Sequence, residues 1–158
     1  RVLSLNIIMS TTGNPSLPKG KPEIMTKFFA PVPSERDAYI EEMVKRDRLI
    51  TGSYAYDEEK GSEYRTKEYD RSYYSDGIAR QMAAMAVPGN IQPKILTIKA
   101  PTLVIHGNED PFNSIEAAKE IASTIPGAEL LILNGMGHSF SKELIPHIIN
   151  AIVENSEK

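Results

Sequence analysis

The sequence has no cysteine. That excludes a disulfide framework and a thiolate metal site, and it fits a reducing compartment, so a cytoplasmic location is expected. No apolar run approaches the roughly 18 residues of a membrane-spanning helix, and no basic-then-apolar signal peptide opens the chain. There is no internal repeat and no low-complexity tract. A positive charge excess is also absent: 18 Lys and Arg stand against 21 Asp and Glu, for a net charge of −3. Nucleic acid is therefore not an expected partner. The short basic clusters, Lys19 with Lys21 and Lys45, Arg46 with Arg48, sit among acids and read as solvated surface. The three histidines have no close ligand spacing, so neither a metal nor another cofactor is implied. "GNPSLPKGK" is not a phosphate loop, because Pro18 stands at the second glycine position and no Ser or Thr follows the lysine. Asn14 precedes Pro15 and cannot be glycosylated.

What is present suffices for one domain: 158 residues, 41% apolar, with an ordinary 25% charged. Arg1 is not a methionine, and the apolar "VLSLNIIM" follows at once. A domain seldom begins inside a core strand, so the N-terminal part of a larger protein is expected to precede it. Val2–Met9 reads as a buried strand, and the Pro- and Gly-rich "STTGNPSLPKGKP" after it as a loop. Ser34 is the expected start of a helix, with Asp37 completing a capping-box-like pair. Ile40, Met43, Val44 and Ile50 then fall on one helical face. Helix continues, with irregular joints, to about Ala86, where Pro88-Gly89 ends it.

The tail changes pattern. "APTLVIHG" reads as a buried strand and "NSIEAAKEIASTIPG" as a helix capped by Asn113 or Ser114. "AELLILNG" is a second strand, and "SKELIPHIINAIVENSEK" a helix with Pro146 in its first turns. Strand–helix–strand–helix implies parallel strands with helices over the sheet. Sites in such sheets lie beyond the carboxyl ends of the strands. Asp110 and His138 both fall there. A histidine exchanges protons near neutral pH, and a carboxylate can fix its tautomer and stabilise its charged form. The glycines of "NGMGH" allow a sharp turn that brings the ring close. Each residue alone is commonly a turn or loop residue; at matching strand ends they suggest a pair that lacks only a nucleophile.

"APTLVIHGNEDPFN" followed by "IPGAELLILNGMGHSF" resembles the last third of an α/β-hydrolase, whose triad runs Ser, acid, His in chain order. "YDRSYYSDGIARQMAAM" and "VLSLNIIMSTTGNPSLP" are similar to segments of bacterial esterases related to aclacinomycin methylesterase. The resemblance implies about three parallel strands with flanking helices plus a helical lid. It would divide the chain into a sixth-strand equivalent and loop (1–22), a lid (23–90) and the C-terminal core (91–158). It implies that Asp110 is the acid and His138 the histidine of a Ser-His-Asp triad. It also implies a carboxylic-ester hydrolase acting on a small apolar ester-type substrate. The family's nucleophile sits in G-x-S-x-G, which this sequence does not contain. The serine and most of the oxyanion hole are expected upstream, so the chain alone is expected to be inactive. Ser139 adjoins His138 and would point away from it, while Ser10 follows the first strand and could line the cleft.

All seven tyrosines precede Asp76. With Phe28, Phe29 and Met43 they could line an apolar substrate pocket; half-buried helix faces are the plainer reading. Arg80 and Gln81 are expected to serve packing or hydrogen bonding. The resemblance makes His106 structural, and His147 is expected to face solvent. The other reading of the whole chain is a non-catalytic interaction module on a hydrolase scaffold. Either way, an exposed Val2–Met9 strand edge would favour self-association.

Overall fold

The computed structural model describes residues 2–158; Arg1, read above as an internal start, lies outside them. The elements in order are β1 (Leu5–Ile8), α1 (Pro22–Phe28), α2 (Arg36–Ile50), α3 (Glu58–Ser72), α4 (Ser75–Ala86), α5 (Gln92–Ile95), β2 (Thr102–Gly107), α6 (Ile115–Thr124), β3 (Glu129–Leu133) and α7 (Ile145–Ser156). The three strands form one parallel sheet in the order β1-β2-β3. This matches the three parallel strands with flanking helices that the resemblance implies, with four helices between β1 and α5.

β2 lies between two neighbours and is buried along its whole length, which is why "TLVIHG" reads as a continuous apolar run. Its side chains alternate between two cores. Leu103 and Ile105 pack with Met9, Leu133, Leu144 and Ile148, under α7. Val104 packs with Ala118, Ile121 and Ile125, under α6. The helices thus cover opposite faces, and each fully buried Ile contributes about 1.5–3 kcal/mol. Asn155 at the end of α7 is buried and donates from Nδ2 to the Leu5 carbonyl at 3.1 Å, tying the last helix to the first strand.

Three expectations are corrected. The first strand is shorter than Val2–Met9 and only half-buried; Val2 and Leu3 are exposed, because among the described residues β1 has a neighbour on one side only. The start of α2 is capped by Glu35, not Ser34: its carboxylate accepts the Asp37 and Ala38 N–H groups at 3.3 and 3.0 Å. Arg46 is not solvated. It is 4% exposed, donating to Glu42 at 2.8 Å and to the Phe28 and Pro31 carbonyls at 2.6 and 3.2 Å. It satisfies the end of α1 and the link that follows, carbonyls that would otherwise lack a donor. Lys19, Lys21, Lys45 and Arg48 are exposed as expected, and so is His147.

Candidate active site

Beyond Gly107 the chain turns through a short loop that carries Asp110. The loop folds onto itself: Asp110 Oδ1 accepts the N–H groups of Phe112 and Asn113 at 2.8 and 3.0 Å. Two donors on one oxygen fix the carboxylate and leave Oδ2 to a partner. That partner is His138, whose Nδ1 lies 2.7 Å from Oδ2. The Asp110 side chain is fully buried, whereas the imidazole is 28% exposed. A carboxylate only accepts, so the proton on that contact belongs to Nδ1. Nε2 is then the nitrogen with a lone pair to use, at the solvent-facing end of the pair.

The loop carrying His138 is zipped to its surroundings by backbone bonds. On one side Asn108 donates to the Leu133 carbonyl at 3.2 Å and Glu109 to Met136 at 3.0 Å. Asn108 Oδ1 accepts the Gly135 N–H at 2.7 Å. On the other side lies the end of α2. His138 N–H donates to the Ile50 carbonyl at 2.7 Å, Gly137 to Thr51 at 3.1 Å, and Ser53 back to Gly135 at 2.9 Å. The last carbonyls of a helix have no intrahelical donor, so α2 offers acceptors and the histidine loop uses them. Only glycine permits the approach. A Cβ on Gly137 would sit 2.1 Å from the Ile50 oxygen, and one on Gly107 2.0 Å from the Met136 oxygen.

Phe112 sets its ring 4.8 Å from the His138 ring at 63°, an edge contact that restrains the imidazole. Phe28 meets Phe112 at 4.6 Å, and Phe29 meets Phe28 at 5.3 Å. Phe28 and Phe29 therefore reach the histidine through Phe112, not directly. Met43 is buried on α2, and with Phe28, Tyr39, Tyr69 and Tyr73 it borders a groove between α2, α3 and α4. Tyr69 and Tyr73 stack at 4.4 Å, and Tyr39 packs against both, so these rings chiefly fill helix interfaces. Burial raises the Tyr39 phenol above its ordinary range. Arg80 and Gln81 are exposed, and Arg80 lies over the Tyr74 ring at 5.4 Å.

Ser10 lies with His138 in a second groove that also includes Met9, Met85 and Ile91. Met9 has φ +50°, unusual for a non-glycine residue, and turns the chain at the end of β1. Its carbonyl accepts Asn113 Nδ2 at 3.0 Å, which holds that turn. Asn113 thus serves the site, and Ser114, the other cap candidate, holds the N-cap position of α6, where among the described residues no side chain bonds the helix N–H groups. Ser139 points to Thr51, at 3.4 Å between hydroxyl oxygens. Among the described residues no group of His, Asp and Glu is placed to hold a metal ion, and no helix is long and apolar enough to cross a membrane.

Sequence reading missed Phe112, Asn113 and the 50–53 segment. The "DPFN" stretch beside Asp110 held the first two in view. The third pairs residues far apart in sequence and left no local signal.

Solved structures share the fold. A meta-cleavage product hydrolase from Pseudomonas fluorescens IP01 superposes with TM-score 0.66 at 19% identity, covering 98% of this chain and 56% of its own. An enol-lactonase from Burkholderia xenovorans LB400 gives 0.64 at 16% identity, covering 100% and 57%. Est816, described as an N-acyl homoserine lactone degrading enzyme, gives 0.57 at 25% identity, covering 98% and 57%. The chain spans little more than half the length of these relatives. No curated protein matches the sequence. A family model described as TAP-like protein matches residues 72–152, a span that includes both Asp110 and His138. The chain belongs to that family, on an α/β-hydrolase fold.

Proposed function

We propose that this chain supplies the acid and the histidine of a serine hydrolase that cleaves ester-type bonds of small apolar substrates. The observation that carries the reading is the 2.7 Å contact between His138 Nδ1 and a fully buried Asp110 carboxylate. Nδ1 is held, and Nε2 is left to take a proton from a hydroxyl nucleophile and return it to the leaving group. The imidazolium formed in between is stabilised by the Asp110 carboxylate.

The nucleophile would be a serine from a segment outside residues 1–158. Ser139 is turned to Thr51, and Ser10 lies on a strand-end loop without the strand-to-helix turn that activates such serines. Two structural relatives are described as acting on lactones, which are cyclic esters. The Met9, Met85, Ile91 and Phe112 side chains around His138 suit an apolar acyl or alcohol group.

The test is hydrolysis of p-nitrophenyl acetate and butyrate. The 158-residue chain should show no turnover. The protein translated from the complete reading frame should turn over both esters, and His138→Ala should cost about 10⁴–10⁶-fold in kcat. Turnover by the chain alone that disappears in His138→Ala would instead place the nucleophile within it.

A further inference from the structure

The second histidine near Asp110 is unused by that mechanism. His106 stands in β2 and is fully buried. Its Nε2 lies 3.0 Å from the Asn113 carbonyl oxygen. A carbonyl can only accept, so Nε2 carries a proton. Its Nδ1 is buried and has no hydrogen-bond partner among the described residues. A proton there would be a buried donor without an acceptor.

We propose that His106 is a positioning residue for the Asp110–His138 pair, locked as the neutral imidazole with its proton on Nε2. The inference rests on the reading of Asp110 and His138 as acid and base. Asn113 is the link. Its N–H holds Asp110 Oδ1, its carbonyl accepts a hydrogen bond from His106 Nε2, and its side-chain amide holds the Met9 carbonyl. His106 therefore fixes the residue that fixes the carboxylate. The charge state matters as much as the bond. His106 Nε2 lies 3.7 Å from Asp110 Oδ2, too far for a hydrogen bond but close for a charge. An imidazolium there would draw on the carboxylate that His138 needs, whereas a neutral ring leaves Asp110 to His138.

Nitrogen–proton NMR on the 158-residue chain tests this without any serine or substrate. At neutral pH the wild type should show His106 neutral with its proton on Nε2, and a low-field Nδ1–H resonance for His138. His106→Phe removes the donor to Asn113 and should abolish that low-field resonance in a folded protein. His106→Gln, whose amide can donate to the same carbonyl, should restore it. A charged His106, a proton on its Nδ1, an unchanged resonance in folded His106→Phe, or no restoration in folded His106→Gln would each overturn the inference. Asp110→Asn separates the two levels. Loss of the resonance in Asp110→Asn but not in His106→Phe sinks only the role of His106. Its persistence in Asp110→Asn sinks the acid–histidine pairing itself. Where a variant does not fold, the wild-type tautomer alone decides.

Discussion

Gly137 is the residue on which the placement of His138 most directly depends. Its N–H bonds the Thr51 carbonyl, and it lies against the end of α2. A methyl group there would stand 2.1 Å from a backbone oxygen, not from a side chain that could rotate aside. Gly137→Ala should therefore destabilise the chain by about 2–3 kcal/mol, since backbone must shift to admit it. A lower urea midpoint checks this, and an unchanged midpoint would show that the loop and helix are not clamped as described. Asp110 and His138 were legible because each lies just past an apolar strand, and parallel strands put their ends on one edge. "NGMGH" was read as glycine for turning. That holds for Gly135, which has φ +75°. Gly137 has a different reason, the approach of Ile50, and nothing within five residues of it reveals that neighbour.

At the scale of elements, α2, α3 and α4 were legible as helices and illegible as packing. Periodicity gave Ile40, Met43 and Ile50, all buried on α2. Arg46 was misread, because a charged residue shows its burial only through the carbonyls it meets, and those belong to another element. Asp47 is also tied across elements: it accepts from Arg65 of α3 on both oxygens and from the Tyr56 hydroxyl at 3.3 Å. Burial opposes the Arg65 charge, but Asp47 and Glu68 outweigh it and hold the guanidinium more firmly protonated than usual. Tyr56 is pushed up to about 12, first by desolvation and then by the Asp47 charge. In the unfolded chain the phenol titrates near its ordinary value of about 10. Its contribution to stability is thus complete below about pH 10 and is lost as pH rises through about 12. Tyr56→Phe cannot ionise. The stability gap between wild type and Tyr56→Phe should therefore shift against the wild type between about pH 10 and 12 in urea titrations. A gap that stays constant across that window would contradict the burial of this hydroxyl against Asp47.

For the whole molecule, the order of helices and strands and the parallel sheet could be read from "TLVIHG" and "ELLIL" with a helix after each. The length of β1 could not. An apolar run such as "VLSLNIIM" states hydrophobicity, whereas pairing is set by the neighbour, and β1 has one on a single side. Among the described residues no strand pairs with its other edge, and Val2 and Leu3 beside it are exposed. Exposed strand edges of this kind pair with other chains. We expect the isolated 158-residue chain to self-associate, with light scattering giving a mass above 17.5 kDa that rises with concentration. A concentration-independent monomer mass would rule this out.

The central claim is that Asp110 and His138 activate a serine carried outside these residues. Its most direct test is fluorophosphonate labelling of the protein translated from the complete reading frame, with the modified residue located by mass spectrometry. The account predicts one labelled serine, outside residues 1–158, whose labelling is lost in both Asp110→Asn and His138→Ala. Label on Ser10 or Ser139, or labelling indifferent to both substitutions, would contradict it.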